Sequence, residues 1–343
     1  MTAQDILKCT EPGEIFTEDA AQIKAEYTRL AKLWHPDYNG NSAESNEVMI
    51  KINALYERAM ELILSGKWRK PGFLRLRCRD GKIRELKYRS ESAFELGTMY
   101  ICDSVVAYIV DSRFRELYIN AEKRIKGLKF ADENMKAEMT KCLPEIISQF
   151  ETMDGRLGMV VKKDPDLLLL ADVLSYYNGK MPDRHAAWIL GTLYNLACYL
   201  DYTGITINAI STGTYFISPK GHWGAMLGGW WFAVPTGAQM LGVPEKIYDI
   251  LPPDVVNTRQ GSIQTDLEAI RLAGRELLED RTGMRLEDYG IPGPLAVWLR
   301  GACADTAFEE YGRWRRVLDE SYGARKFVTM ELDADKVYSK QSL

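Results

Sequence analysis

The sequence predicts an α+β protein in two parts: an all-α helical hairpin, followed by a larger bilobal body that is β-rich at its start and α-helical at its end. Three observations carry this. Apolar residues recur at spacings of three and four on both sides of "HPDYNGNS". Farther along, short strand-like runs are punctuated by Asp80-Gly81 and Asp154-Gly155, both hairpin signals. After Pro165 long helical patterns take over, and the two longest run on to glycines. With 343 residues, the chain is long enough for two cores.

Composition narrows the function classes. The formal charge of -4 shows no overall bias toward nucleic acid or acidic membranes, so any basic surface has to be local. The most apolar stretches, "DLLLLADVL" and "GAMLGGWWFAV", are too short to span a bilayer, and Met1 to Lys8 lack the basic-then-apolar order of a secretion signal. A cytoplasmic location is expected, with no membrane partner. The six cysteines and three histidines are dispersed and no C-x-x-C pair occurs, which argues against a disulfide framework and a zinc site. No metal and no cofactor are expected.

From Glu18 to Trp34, Ile23, Tyr27, Leu30, Ala31 and Trp34 fall on one helix face, with Thr17 as N-cap and Glu18 and Asp19 in the first turn. The opposite face carries Lys24, Arg29 and Lys32. Such a face is often simply solvated. Pro36 disfavours helix at His35, and Tyr38, Asn39 and Gly40 continue the turn. A second helix begins near Ser42, aligns Val48, Ile52, Leu55, Ala59 and Ile63, and stops at Gly66. Pairing the two stripes leaves "HPDYNGNS" at an exposed tip. A metal role for His35 lacks a second ligand nearby.

Residues 1–66 resemble the J-domain of Hsp70 co-chaperones, through "AQDILKC", "AEYTRLAKLW", "HPD" and "VMIKINALYERAMELI" in that order. The resemblance implies that His35, Pro36 and Asp37 dock on the Hsp70 ATPase domain and that Lys24, Arg29 and Lys32 meet an acidic Hsp70 surface, stimulating ATP hydrolysis. The segment "TEPGEIFTEDA" is longer than is usual in that family, and Thr28 and Leu33 stand where basic residues are common.

Residues 67–90 form a basic connector. Between Lys67 and Arg89, ten basic residues face only Asp80 and Glu85, and "FLRLRCR" alternates apolar with basic, predicting a two-residue hairpin at Asp80-Gly81 with one charged face. A solvated edge that resists strand pairing explains this composition. Nucleic-acid binding, the alternative, would need aromatic platforms, and only Trp68, Phe73 and Tyr88 are at hand.

In the remainder, "MYICDSVVAYIV" and "RELYINAEKRI" read as strands, "DENMKAEMTKCL" as a helix and "EIISQFETMDGRLGMVVKK" as a hairpin. Helices follow in "PDRHAAWILGTLYNLACYLDYTG", "SIQTDLEAIRLAGRELLEDRTG", "GPLAVWLRGACA" and "YGRWRRVLDESYG".

Residues 91–325 resemble the protein kinase fold, with an N-lobe over about 91–165, a C-lobe over about 166–325 and a tail at 326–343. The resemblance rests on "QTDLEAIRLAGRELLEDRTG", on "LPPDVV" at the Ala-Pro-Glu segment, and on "PLAVWLRGACA" and "YGRWRRVLDE" as closing helices. It implies that Asp266 braces the catalytic loop. The groups that phosphoryl transfer requires are missing from the matching positions. Ala209 replaces the catalytic aspartate, Thr214 the metal-binding asparagine and Gly228 the metal-binding aspartate; Asn120 occupies the lysine position, and Gly97 alone remains of the glycine-rich loop. Trp230 and Trp231 in "GGWWFAV" either fill core or take space a nucleotide would need.

The two resemblances together imply a co-chaperone that recruits Hsp70 through its tripeptide loop and binds a client or partner protein through an inactive pseudokinase body, with no catalytic residues. Two alternatives stay open: an atypical kinase or nucleotide-dependent transferase using Lys123, Glu138, Asp254 or Asp266, and a nucleic-acid-associated adaptor using the connector.

Overall fold

The computed structural model describes residues 2–17, 20–64, 72–324 and 328–339. The chain divides into two compact units, Met1–Arg89 and Ser90–Leu343.

In the first unit, α1 (Ala3–Lys8) begins with a capping box, in which Thr2 and Asp5 satisfy each other's backbone amides. The long segment after it folds into a 3-10 turn at Pro12–Glu14, with the Glu14 carboxylate accepting from the Thr10 and Glu11 amides. Ile15 and Phe16 are thereby buried. Helix α2 (Ala20–Trp34) buries Ile23 and Leu30 against Val48, Ile52, Leu55 and Ala59 of α3 (Ala43–Leu64). Tyr27 stacks near Tyr56, with centroids 4.2 Å apart, and donates to Asn53. Glu11, ahead of α2, pairs with Arg58, late in α3, so the helices run antiparallel. Glu18, Asp19 and Gly66, read as helix-end signals, lie outside the described residues, as do Lys67, Trp68, Arg69 and Lys70 of the connector.

Strands β1 (Phe73–Arg77) and β2 (Ile83–Lys87) form the connector hairpin, with Leu74 and Leu76 buried between exposed Phe73, Arg75 and Arg77. Its turn differs from the two-residue form expected. Gly81 N–H donates to Cys78 C=O and Cys78 N–H to Lys82 C=O, giving a three-residue loop in which Gly81 takes φ +77°. Glycine serves as the positive-φ residue after an ordinary turn, a second common way to close a hairpin.

The second unit opens with β3 (Ser90–Phe94), β4 (Gly97–Ile101) and β5 (Val105–Val110), each antiparallel to the last. "MYICDSVVAYIV" is therefore two strands, turning at Asp103-Ser104, and not one. A larger correction follows. "RELYINAEKRI" is helix α4 (Arg115–Lys126), not a strand. Tyr118, Ala121 and Ile125, three and four apart, bury one stripe while Ile119 is 54% exposed, so the helical period prevails over the β-branched and aromatic content. Helix α5 (Glu133–Met139) is capped by Asp132, whose carboxylate accepts from the Met135 amide. Strands β6 (Ile146–Glu151) and β7 (Leu157–Lys162) complete a five-stranded antiparallel sheet of order β3-β4-β5-β7-β6.

Beyond the sheet the chain is braced at Lys163, whose buried ammonium donates to the carbonyls of Asp164 and Leu167. Burial lowers its pKa to about 8, against the opposing pull of Asp103 and Asp164. Strand β8 (Leu168–Leu169), helix α6 (Leu170–Tyr176) and the 21-residue α7 (Asp183–Thr203) follow. Short strands β9 (Ile205–Thr206), β10 (Tyr215–Ser218), β11 (Trp223–Met226) and β12 (Val234–Pro235) pair as β11-β10-β8 and β12-β9. Helices α8 (Glu245–Tyr248), α9 (Pro253–Thr258), α10 (Ile263–Leu277), α11 (Gly293–Arg300) and α12 (Ala307–Tyr322) follow, and α10, α11 and α12 pack against α7. Helix α10 ends six residues before Gly283, the glycine expected to stop it, because the Asp280 carboxylate accepts from the Gly283 and Arg285 amides and draws the chain into a turn. Helix α13 (Ala334–Ser339) and the residues before it are no appendage: Met330, Leu332, Val337 and Tyr338 are buried in the core of this unit.

Gly97 stands where only glycine fits. Its φ is +158°, and a Cβ there would lie 2.1 Å from the Ile109 carbonyl oxygen. Gly97→Ala is expected to cost about 2–4 kcal/mol through backbone clash and strain. Gly155→Ala, with φ +86° but open space around it, should cost only about 1 kcal/mol. Urea unfolding of both variants checks the difference; equal costs would mean that the close approach of β4 to β5 is absent.

Candidate functional site

Two constellations collect the residues singled out in the sequence, one in each unit. In the first, His35 opens a 3-10 turn over Pro36–Tyr38, and its Nδ1 accepts from the Asp37 amide at 3.2 Å. Asn39 Nδ2 donates to the carbonyls of Leu33 and His35, capping the end of α2. The His35 side chain is 44% exposed and that of Asp37 77%, with Tyr38 open beside them. Local hydrogen bonds thus hold the tip in one shape while its side chains face water. Lys24, Arg29 and Lys32 are exposed and unpaired among the described residues, on the side of α2 away from Ile23 and Leu30.

The second constellation centres on Asp266, which is fully buried at the start of α10. Its carboxylate oxygens accept from the amides of Ile207 and Asn208, both at 2.8 Å. This holds Asn208 at φ +58° and aims its side-chain amide at the Phe232 carbonyl, 3.1 Å away. Asn120, reaching from α4, donates to the carbonyls on either side, Trp231 and Ala233. Two asparagines therefore hold three consecutive carbonyls, and Asn120 works from a helix, not from the strand assigned to it.

Ala209, Thr214 and Gly228 converge beside this brace. Thr214 Oγ1 donates to the Ala209 carbonyl and accepts from the Ser211 amide, while the Gly228 amide donates to the Thr214 carbonyl. A Cβ at Gly228 would meet the Tyr108 hydroxyl at 3.1 Å and Thr214 Cα at 3.2 Å; one at Gly229 would meet Ala209 Cβ at 3.2 Å. The loops are packed too closely for larger side chains to enter without displacement.

The space in front of them is aromatic. Trp231 lies 5.4 Å from Tyr108, 5.9 Å from Phe94 and 6.3 Å from Tyr118, centroid to centroid, and all but Phe94 are nearly inaccessible. Trp230 is equally buried, its indole donating to the Met226 carbonyl. Burial raises the Tyr108 hydroxyl well above the usual phenol range, and it has no hydrogen-bond partner among the described residues.

Of the residues of the enzyme alternative, Asp266 is here, but Lys123, Glu138 and Asp254 are not brought to it. Lys123 is exposed on α4, Glu138 on α5 and Asp254 on α9, and no described ion pair joins any two of them. Among the described residues no cluster of His, Cys, Asp or Glu has the geometry to hold a metal, and no helix is long and apolar enough to cross a membrane. In the connector, part of the basic charge is matched internally by Arg75–Glu85 at 3.2 Å and Arg84–Asp80 at 2.9 Å.

Sequence reasoning missed the buried Arg271–Glu310 ion pair, in which the guanidinium also binds the carbonyls of Trp298, Gly301 and Ala302 and lies over the Trp298 ring. The available signal was an arginine inside the apolar run "EAIRLAG". No family model matches the chain, and no curated protein matches it significantly.

Asp266→Ala is expected to destabilise the protein by about 3 kcal/mol, since two buried backbone amides lose their acceptor at once. Burial raises the Asp266 pKa to about 7, the two amides opposing it. The folded value lies above the unfolded value of about 3.9, so this group's contribution is fully present below about pH 4 and is lost as pH rises through 7. Urea unfolding from pH 4 to 8 should therefore show wild type losing stability relative to Asp266→Asn as pH rises. Parallel curves would remove the buried carboxyl from the account.

Proposed function

We propose that the chain is a J-domain-type co-chaperone that docks an Hsp70 ATPase through His35, Pro36 and Asp37, and that its second unit is a kinase-like body that binds a partner protein without transferring phosphate. The observation that carries the first half is the tip between α2 and α3. Its backbone is pre-organised by His35 and Asn39, so docking costs little ordering entropy, and the free cations of α2 offer complementarity to an acidic surface.

For the second half, support comes from the five-stranded sheet with a helix between its third and fourth sequential strands, the helical lobe that follows, and the carboxylate brace from α10. In a kinase the third strand carries the phosphate-positioning lysine and the following helix its glutamate partner. Here that strand is β5, "VVAYIV", which has no lysine in any register. The turn between β3 and β4 is only Glu95-Leu96, too short to cover phosphates, and Trp231 with its neighbours fills the cleft. Alanine at 209 and glycine at 228 offer neither a proton acceptor nor a metal ligand. Positioning and charge stabilisation supply nearly all of phosphoryl-transfer catalysis, so their loss removes the reaction.

His35→Gln is expected to abolish stimulation of Hsp70 ATP hydrolysis and to leave circular dichroism unchanged, because the side chain is exposed and supports no core. Equal stimulation by both proteins would sink the docking assignment. The full chain should neither bind ATP detectably nor turn it over with magnesium or manganese; turnover that falls on mutation of Lys123 would reverse the second half.

A further inference from the structure

Four places in the chain set an asparagine or aspartate before a glycine: Asn39-Gly40, Asp80-Gly81, Asp154-Gly155 and Asn178-Gly179. Such pairs are chemically labile, because the glycine main-chain nitrogen, unhindered by a Cβ, can attack the side-chain carbonyl carbon of the residue before it. The reaction needs that nitrogen free. Three of the four are engaged: the Gly81 amide donates to the Cys78 carbonyl at 3.0 Å, that of Gly155 to Thr152 at 2.9 Å and that of Gly179 to Leu174 at 2.9 Å. The Gly40 amide makes no hydrogen bond among the described residues, although the amides on both sides of it do, Asn39 to His35 and Pro36 and Asn41 to Pro36. Both asparagine pairs lie in the same tripeptide, Tyr-Asn-Gly, and both asparagines are exposed. Neither local sequence nor exposure separates them; the glycine amide does.

What holds Asn39 back is its side chain. Its Nδ2 donates to the carbonyls of Leu33 and His35, both at 3.0 Å, and ring closure begins only when both bonds are released. That release is local. Leu33 is 57% exposed and residues 35–41 add nothing to the core of the first unit, so the turn opens without disturbing the helices behind it. At Asn178 the Gly179–Leu174 bond has to break first, and it closes the end of α6, where Leu174 and Tyr177 pack on the core.

We propose that Asn39 is a site of spontaneous deamidation and that its conversion takes the tip apart. Hydroxide removes the Gly40 amide proton and the nitrogen attacks Asn39 Cγ. The new C–N bond closes a succinimide ring while the Cγ–Nδ2 bond breaks and ammonia leaves with a proton from water. Water then opens one of the two imide C–N bonds, leaving an aspartyl or isoaspartyl residue at position 39. The product carries a carboxylate, which has no donor, so the Leu33 and His35 carbonyls lose their partner. It also sets negative charge at the C-terminal end of α2, where the helix dipole favours cations. An isoaspartyl link adds a methylene to the main chain inside the turn that the Asn41 amide closes on Pro36. Loss of Hsp70 stimulation on conversion rests on the docking assignment; the chemical step does not.

The test is incubation of the full chain at mildly alkaline pH, folded and in urea, with peptide mapping by mass spectrometry and an isoaspartate assay. In the folded chain the peptide holding Asn39 should gain about one dalton at least tenfold faster than the peptide holding Asn178. In urea the two should convert at similar rates, because only the fold distinguishes them. Gly40→Ala should slow conversion at Asn39 at least tenfold. Equal rates for the two asparagines in the folded chain, a folded Asn39 that stays unchanged where urea converts it, or a Gly40→Ala rate equal to wild type overturns the site. Hydrogen exchange of the Tyr38 and Asn41 amides, which donate to His35 and Pro36, reads the tip without Hsp70. It should quicken at least fivefold in Asn39→Asp, and unchanged exchange overturns the consequence for the tip. Hsp70 stimulation should fall at least fivefold in the same variant. A loss in His35→Gln alone overturns the link to docking; a loss in neither overturns the Hsp70 assignment, while the deamidation site stands or falls on its mass map.

Discussion

One buried carboxylate organises the centre of the second unit. Asp266 has no cationic partner among the described residues; two main-chain amides satisfy it, and they belong to consecutive residues, Ile207 and Asn208. That geometry forces the chain into a left-handed step at Asn208, which asparagine tolerates, and points its amide at Phe232. Asn120 then closes the arrangement from the far side by taking the neighbouring carbonyls. Segments more than a hundred residues apart in sequence are tied by groups that cannot reach water, so each depends on the others for its partners.

The same tightness bears on chemistry. With Gly228 and Gly229 against Thr214, Ala209 and Tyr108, the loops approach one another too closely for larger side chains to enter without displacement. Phe94, Tyr108, Tyr118 and Trp231 fill what remains with rings in edge-on and stacked contact. Apolar burial dominates this space. The Tyr108 hydroxyl, buried without a partner, is the one polar atom of this cluster left at a cost.

The first unit follows a different logic. Its small core of Ile23, Leu30, Val48, Ile52 and Leu55 stabilises two helices whose connecting tip contributes nothing to that core. The tip is ordered instead by its own hydrogen bonds, and the side chains of Asp37 and Tyr38 stay exposed. The longer segment ahead of α2 is not loose either, because Ile15 and Phe16 extend the core it crosses.

Local patterns sufficed for the helix pair, for both hairpins and for most helices of the second unit, because helical and strand periods report which face is buried without reference to distant residues. They failed at "RELYINAEKRI", where β-branched and aromatic content suggested a strand until Tyr118, Ala121 and Ile125 found a common burial site against the sheet. Nor could they show that α10 stops at Leu277, that the C-terminal residues belong to the core, or that Arg271 finds Glu310, since each rests on partners far away in the chain. The sequence by itself determined which residue types stand at 35–37, 209, 228 and 266. Only the tertiary structure decided that Ala209, Gly228, Tyr108 and Trp231 meet in one closed space, because that depends on chain segments whose separation no local period encodes.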